Sequence, residues 1–170
     1  MARRAGQDYP RQAGRFFDDF KIGDVYQSAV GRTVTEPDNT WFTLLTNNNN
    51  QIHFNRDYAA NTEWGQPLVN STLTLAIVTG LTVPDVSQNG IALGWDEIRL
   101  PAPVFAGDTL YAETEVTGVR ASESRPGMGV VTTRTRGFNQ RDEVVIEFVR
   151  QVLVWRQEAA PKPQARAVDI

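Results

Sequence analysis

Hydrophobic and polar positions along the chain follow two regimes. Up to about residue 81 the apolar residues cluster at helical spacing, and from Ile91 onward they alternate. Thr35-Glu36-Pro37-Asp38 supplies a hydroxyl cap, an early proline and an acid three residues after the cap, and Trp41, Phe42, Leu44 and Leu45 follow. These signals predict a short helix over Glu36 to about Leu45, and a second short one is expected over Arg56 to Thr62. A third, from Ser71 to about Leu81, carries Leu73, Leu75, Ala76, Ile77, Val78 and Leu81 around most of its circumference. A helix apolar on nearly every side must be surrounded by protein.

The second half reads as long strands. Thr109 to Thr117 alternates Leu110, Ala112, Thr114 and Val116 with Tyr111, Glu113 and Glu115. Val130 to Phe138 alternates Thr and Val with Arg, and Val144 to Trp155 is rich in β-formers throughout. Ser122 to Gly129 and Gln140-Arg141-Asp142 read as hairpin loops, so the pairing is antiparallel. Val25 to Thr33 and Gly90 to Leu100 supply two earlier strands. One buried apolar helix ahead of such a meander has a natural solution, in which the sheet curls and buries the helix on its concave face. This predicts an α+β hotdog fold, a curled antiparallel sheet wrapped around a central helix. Fold analogy adds the expectation of a homodimer or higher homo-oligomer, paired through an open sheet edge.

Length and composition agree with one domain. The chain has 170 residues, 41% of them apolar and 22% charged. That suits a single core and excludes wholesale disorder or coiled coil. Residues 1–15 and 157–170 are polar, with Gly, Arg, Pro and Gln, and are expected to be flexible tails on a single domain at 16–156. The net charge of −3 is no footprint for nucleic acid. No leader or membrane segment is expected, because the arginines near the start lack an apolar stretch and the uncharged run Trp64 to Pro84 is interrupted by Gly, Asn and Pro. The absence of cysteine excludes thiolate metal sites and a cysteine nucleophile, and it fits a cytoplasmic setting.

Candidate chemistry concentrates in Phe42 to Ala59, which sets a polar turn and the only histidine, His53, between two short helices. A neutral imidazole takes or gives a proton near physiological pH, so His53 is the candidate general acid/base. The alternative is a histidine that merely bonds a loop carbonyl. Asn70 and Ser71 open the central helix and are good N-caps, which is their plain structural reading. Gly23-Asp24 and Gly107-Asp108 read as turns. Trp41, Trp64, Trp95 and Trp155 read as core or interface anchors.

The stretch Thr46-Asn47-Asn48-Asn49-Asn50-Gln51-Ile52-His53, with Asn55, Asp57, Tyr58 and Ala59 after it, resembles the signature of the MaoC-like or hydratase-2 family of hotdog enzymes. That signature runs Thr-Gly-Asp-x-Asn-Pro-Leu/Ile-His and then Asp-x-x-Tyr-Ala. The likeness extends through Gly65 to Leu81, Pro103 to Leu110, and Ser124 to Val130 and Asn139-Gln140, the later segments being similar to the mesaconyl-CoA-hydratase branch.

The resemblance implies addition of water to a trans-2-enoyl thioester of coenzyme A, or its reverse. It assigns catalysis to Asn48 and His53, and substrate contacts to Asn50, Asn70 and Ser71. In the family an Asp stands where this chain has Asn48, and an amide cannot accept a proton, so His53 is expected to act as the base alone while Asn48 orients the water. A His-Gly pair opens the family's central helix, where Asn70-Ser71 stands here. A backbone N–H survives that change and is expected to hold the thioester oxygen, aided by the helix dipole. Asp57 or Glu63 could replace the missing carboxylate, and Arg125 either contacts a coenzyme A phosphate or is simply solvated. Leu73, Ile77 and Trp95 are expected to set pocket depth. The implied partner is an acyl-CoA thioester, with no metal and no cofactor beyond the substrate's own coenzyme A. Two rivals are a noncatalytic acyl-CoA-binding or scaffold subunit and a hotdog thioesterase.

Overall fold

The computed structural model describes residues 14–162. The tails expected at 1–15 and 157–170 therefore lie largely outside the described residues. Arg15, at the edge of the first, is held against the fold by an ion pair to Asp85 at 3.3 Å and by the ring of Tyr26.

Among the described residues six strands form one antiparallel sheet. They are β1 (Val25–Gln27), β2 (Arg32–Thr33), β3 (Gly90–Arg99), β4 (Thr109–Ala121), β5 (Met128–Phe138) and β6 (Val144–Trp155). The order is β1-β4-β5-β6-β3, with β2 also pairing β4. The strand expected over Val25 to Thr33 is thus two strands on the same partner. Between them the chain crosses Tyr111 at Gly31, where a Cβ would lie 2.5 Å from the ring, and Ser28 Oγ accepts from the Ala112 N–H.

Three α-helices among the described residues precede or cover the sheet: α1 (Glu36–Leu45), α2 (Arg56–Ala60) and α3 (Ser71–Thr82). Helix α3 runs one residue beyond the expected end and widens into a π turn at Val83–Ser87. Pro84 lacks the N–H that another α turn would use. Leu73 and Val78 of α3 pack with Leu110 and Ala112 of β4 and with Val145, Ile146 and Phe148 of β6. Contact is closest at Gly137, where a Cβ would lie 2.7 Å from both Val78 and Ile146, so the absent side chain lets the helix settle onto β5. Phe20, Val86, Val116, Val131, Val152 and Val154 continue the core beyond the helix end. The α+β hotdog arrangement expected from the sequence is the one observed.

Helix α1 forms as its cap predicts, with Thr35 Oγ1 accepting from the Asp38 N–H and Asp38 reaching back to the Thr35 N–H. Its apolar residues, however, point outward except for Phe42, which packs partly against the core. Trp41 is 73% exposed and Leu45 83%, while Asn39 and Thr43, one turn apart, are the buried pair. Asp108 is more than a turn residue. It is buried, its Oδ2 accepts from the Phe105 N–H, and its Oδ1 accepts from Gln140 and Arg141. It thereby ties the β3–β4 connection to the β5–β6 turn. Among the described residues no helix is long and apolar enough to cross a membrane.

Burial alone would raise the Asp108 carboxyl, but the Phe105 N–H, Gln140 and Arg141 outweigh it and hold the carboxyl below its ordinary value. A depressed carboxyl stabilises the fold above its unfolded pKa of about 4, and the contribution is lost as pH falls through the folded value. Asp108→Asn is expected to melt about 3–6 °C below the parent at pH 7 in thermal denaturation. That gap should close as pH is lowered below about 4.

Candidate active site

The His53 segment is built by asparagines. Asn47 takes a left-handed backbone (φ 53°) that this residue type tolerates, and Asn48 Oδ1 accepts from the Asn50 N–H. Asn50 Oδ1 accepts from the Ile52 N–H and caps a single 3₁₀ turn, Gln51–His53. Asn55 then caps α2 through the Tyr58 N–H.

His53 Nδ1 lies 3.0 Å from the Leu68 carbonyl oxygen. A carbonyl only accepts, so Nδ1 carries the hydrogen and the neutral ring keeps its free lone pair on Nε2. The ring bonds a loop carbonyl, as one reading of the sequence had it, and the residue also lines a cavity.

That cavity has a volume of about 420 Å³. Asn50, His53, Ser71 and Thr74 supply its polar wall, and Ile52, Trp64, Leu68 and Val69 face the segment Leu100–Val104 across it. The far wall is held by the Val69 N–H donating to the Val104 carbonyl at 2.8 Å. It leaves β3 through a bulge between Asp96 and Arg99, where Glu97 has φ 52°. At the start of α3, Asn70 Oδ1 accepts from both the backbone N–H and the hydroxyl of Thr72, as an N-cap should. The Asn70 Nδ2 is buried with no acceptor among the described residues. The first N–H groups of α3 have no intrahelical acceptor and form the positive end of its dipole.

One residue that the sequence did not flag holds these parts together. Asn39 of α1 is buried and donates through Nδ2 to the carbonyls of His53 (2.7 Å) and Leu68 (2.9 Å), while its Oδ1 accepts from the Asn70 N–H at 2.8 Å. Its signal was present as two polar residues, Asn39 and Thr43, at helical spacing within an apolar helix.

The structure thus brings Asn50, His53 and Ser71 to one cavity, with Asn70 buried beside them. Asn48 is not among the lining residues, because its carbonyl oxygen turns the loop toward Asn50. Neither Asp57 nor Glu63 lines the cavity, and both are exposed. Trp64, read as an anchor, lines the cavity and touches the Phe105 ring. Leu73 and Ile77 instead line a separate groove of about 360 Å³ with Trp41, Phe42 and Leu45. No group of three or more His, Asp or Glu side chains among the described residues is arranged to hold a metal ion.

Comparison with known proteins matches residues 4–167 to the family described as mesaconyl-CoA hydratase. The chain belongs to that family. It is 39% identical over 153 residues to mesaconyl-CoA hydratase of Cereibacter sphaeroides, covering 89% of this chain and 44% of the relative. It is 36% identical over 159 residues to β-methylmalyl-CoA dehydratase of Chloroflexus aurantiacus, covering 92% and 45%. The crystal structure of a MaoC domain protein dehydratase from C. aurantiacus superposes with a TM-score of 0.83 at 35% identity, over 92% of this chain and 45% of that one. The chain therefore spans less than half the length of these members of the mesaconyl-CoA hydratase family.

Asn39→Ala is expected to cost about 2–4 kcal/mol in denaturant unfolding, because two carbonyls and an N–H lose their partner together. Asn39→Asp should be as damaging, since a carboxylate can still accept from Asn70 but presents only acceptors to the His53 and Leu68 carbonyls. An Asp variant as stable as the parent would show that the clasp is not what holds the segment.

Proposed function

We propose that this chain adds water to a mesaconyl-type trans-2-enoyl thioester of coenzyme A, or removes it in reverse, at the His53 cavity. The observation that carries the reading is the His53 ring itself: Nδ1 is committed to Leu68, Nε2 has no hydrogen-bond partner among the described residues, and the residue shares a wall with Ser71 at the start of α3. In this scheme Nε2 takes a proton from a bound water as its oxygen bonds to the β-carbon of the enoyl group. Negative charge then moves to the thioester oxygen, where the Ser71 N–H and the positive end of α3 stabilise it as an enolate. The imidazolium returns the proton to the α-carbon, so water is consumed whole and the enzyme is unchanged. Asn50, on the cavity wall, holds the water, and Asn48 acts through Asn50 by fixing its backbone. The apolar wall from Leu100 to Val104 takes the acyl group.

The names of the relatives, a mesaconyl-CoA hydratase and a β-methylmalyl-CoA dehydratase, support this chemistry over thioester hydrolysis. Among the described residues no carboxylate lines the cavity, which also weighs against a thioesterase. We also read the edge strand β3, whose Ile91, Leu93 and Ile98 are exposed, as the seat of a second copy of the chain.

His53→Ala should lower enoyl-CoA hydration by about 10²–10⁴-fold, followed by loss of the enoyl ultraviolet absorbance, with no release of free thiol. An unchanged rate would defeat the assignment. Asn48→Ala should cost about 10-fold or more by letting Asn50 drift. Asn48→Asp, which still accepts from the Asn50 N–H, should stay within about threefold of the parent. A large acceleration would instead give residue 48 a direct part in activating water. By light scattering the parent should have twice the chain mass, and Leu93→Lys should halve it. A parent that runs as a monomer would remove the dimer from this reading.

A further inference from the structure

Threonines in helices commonly return their hydroxyl hydrogen to a carbonyl of the preceding turn. Thr43 does so to Asn39 at 2.7 Å, Thr46 to Phe42 at 2.8 Å and Thr82 to Thr79 at 2.8 Å. Thr74, in α3, departs from them. Its Oγ1 lies 3.4 Å from the Asn70 carbonyl oxygen, which has a closer donor in the Thr74 N–H at 3.0 Å. A hydroxyl bond of that length is weak, so the hydrogen is loosely held and the oxygen keeps its accepting capacity. The residue is nevertheless only 1% exposed, and it lines the His53 cavity. A buried hydroxyl so slackly paired at the wall of a cavity is suited to a polar guest.

Its position says which guest. Thr74 stands three residues after Ser71, on the same face of α3 and about 4.5 Å further along the axis. Asn70, whose carbonyl meets Thr74, donates its N–H to Asn39, and Asn39 donates to the His53 carbonyl, so the threonine and the histidine turn belong to one hydrogen-bonded unit. A thioester oxygen about 3 Å from the Ser71 N–H sets the β-carbon of the enoyl group about 3–4 Å further on. The attacking water then stands about 3–3.5 Å from that carbon, within reach of the next turn of the helix. Such a water has two hydrogens to place. His53 Nε2 takes one, and the other needs an acceptor. Among the described residues no carboxylate lines the cavity, the Asn50 side-chain oxygen already accepts from the Ile52 N–H, and Ser71 is exposed at the helix start. Thr74 Oγ1 is the buried side-chain acceptor that remains.

We infer that Thr74 is a further catalytic residue, accepting through Oγ1 the hydrogen of the attacking water that His53 does not remove. As the water oxygen bonds to the β-carbon, one hydrogen passes to Nε2. The other stays on the oxygen as the hydroxyl hydrogen of the product, still donated to Thr74. In the reverse direction the same bond orients the departing hydroxyl toward the imidazolium. This role rests on the hydratase reading above and adds to it the group that fixes the orientation of the water.

Thr74→Val removes the hydroxyl and keeps the branched shape, while the Asn70 carbonyl retains its backbone donor. In hydration of mesaconyl-CoA its kcat should fall about 10–100-fold with KM within about threefold of the parent, and Thr74→Ser should recover most of the loss. Methylsuccinyl-CoA, the saturated counterpart, has no double bond to hydrate, and calorimetry should show Thr74→Val binding it within about twofold of the parent. An unchanged kcat in Thr74→Val overturns the role and leaves the hydratase reading standing. A loss of kcat matched by an equal loss of methylsuccinyl-CoA affinity also overturns it and assigns the threonine to the packing of the helix start. Should thermal melting show that Thr74→Val does not fold, Thr74→Ala takes its place in both measurements. A parent that does not hydrate mesaconyl-CoA overturns both readings.

Discussion

A single buried amide sets the geometry of the candidate site. Asn39 offers two hydrogens to the carbonyls of His53 and Leu68 and one oxygen to the N–H of Asn70. These three belong to the histidine turn, to the segment that leads into the central helix, and to the residue that caps that helix. No apolar side chain could replace it, because each backbone group it serves would be left buried without a partner. This side chain ties the histidine turn to the start of α3, alongside the direct bonds of Leu68 to His53 and Ile52, and it rides on a helix capped independently by Thr35 and Asp38.

This arrangement explains why α1 inverts the usual amphipathic logic. Its inward positions, Asn39 and Thr43, are polar because the neighbours they meet are backbone groups rather than side chains. Its apolar residues were left to form an outer groove with Leu73 and Ile77. Periodicity identified the helix correctly and could not say which face turns inward, since the rule equating apolar with buried fails where the partner is an irregular loop rich in unpaired carbonyls.

Elsewhere the legible parts were those governed by local rules. The capped helix at Glu36, the apolar residues around most of the circumference of Ser71 to Leu81 and the alternation of the late strands each follow from near neighbours in the chain, and together they imply a sheet curled around one helix. His53 was legible as the only histidine, placed in a loop between packed elements. What was not legible depends on residues far apart: the register that sets Arg150 opposite Trp95, the loop geometry that withdraws Asn48 behind Asn50, and the carboxylate of Asp108 reaching two separate turns. The break between β1 and β2 belongs with these, since it is caused by the ring of Tyr111, eighty residues away from Gly31.

The Leu68 carbonyl accepts from Asn39 and from His53 at once, so both of its lone pairs are occupied and the imidazole has no alternative tautomer open to it. Every proton the ring gains or loses must pass through the same nitrogen, from the same side. For the proposed reaction this carries a stereochemical result. The hydroxyl and the hydrogen of one water arrive on a single face of the double bond, giving syn addition and a product of one handedness.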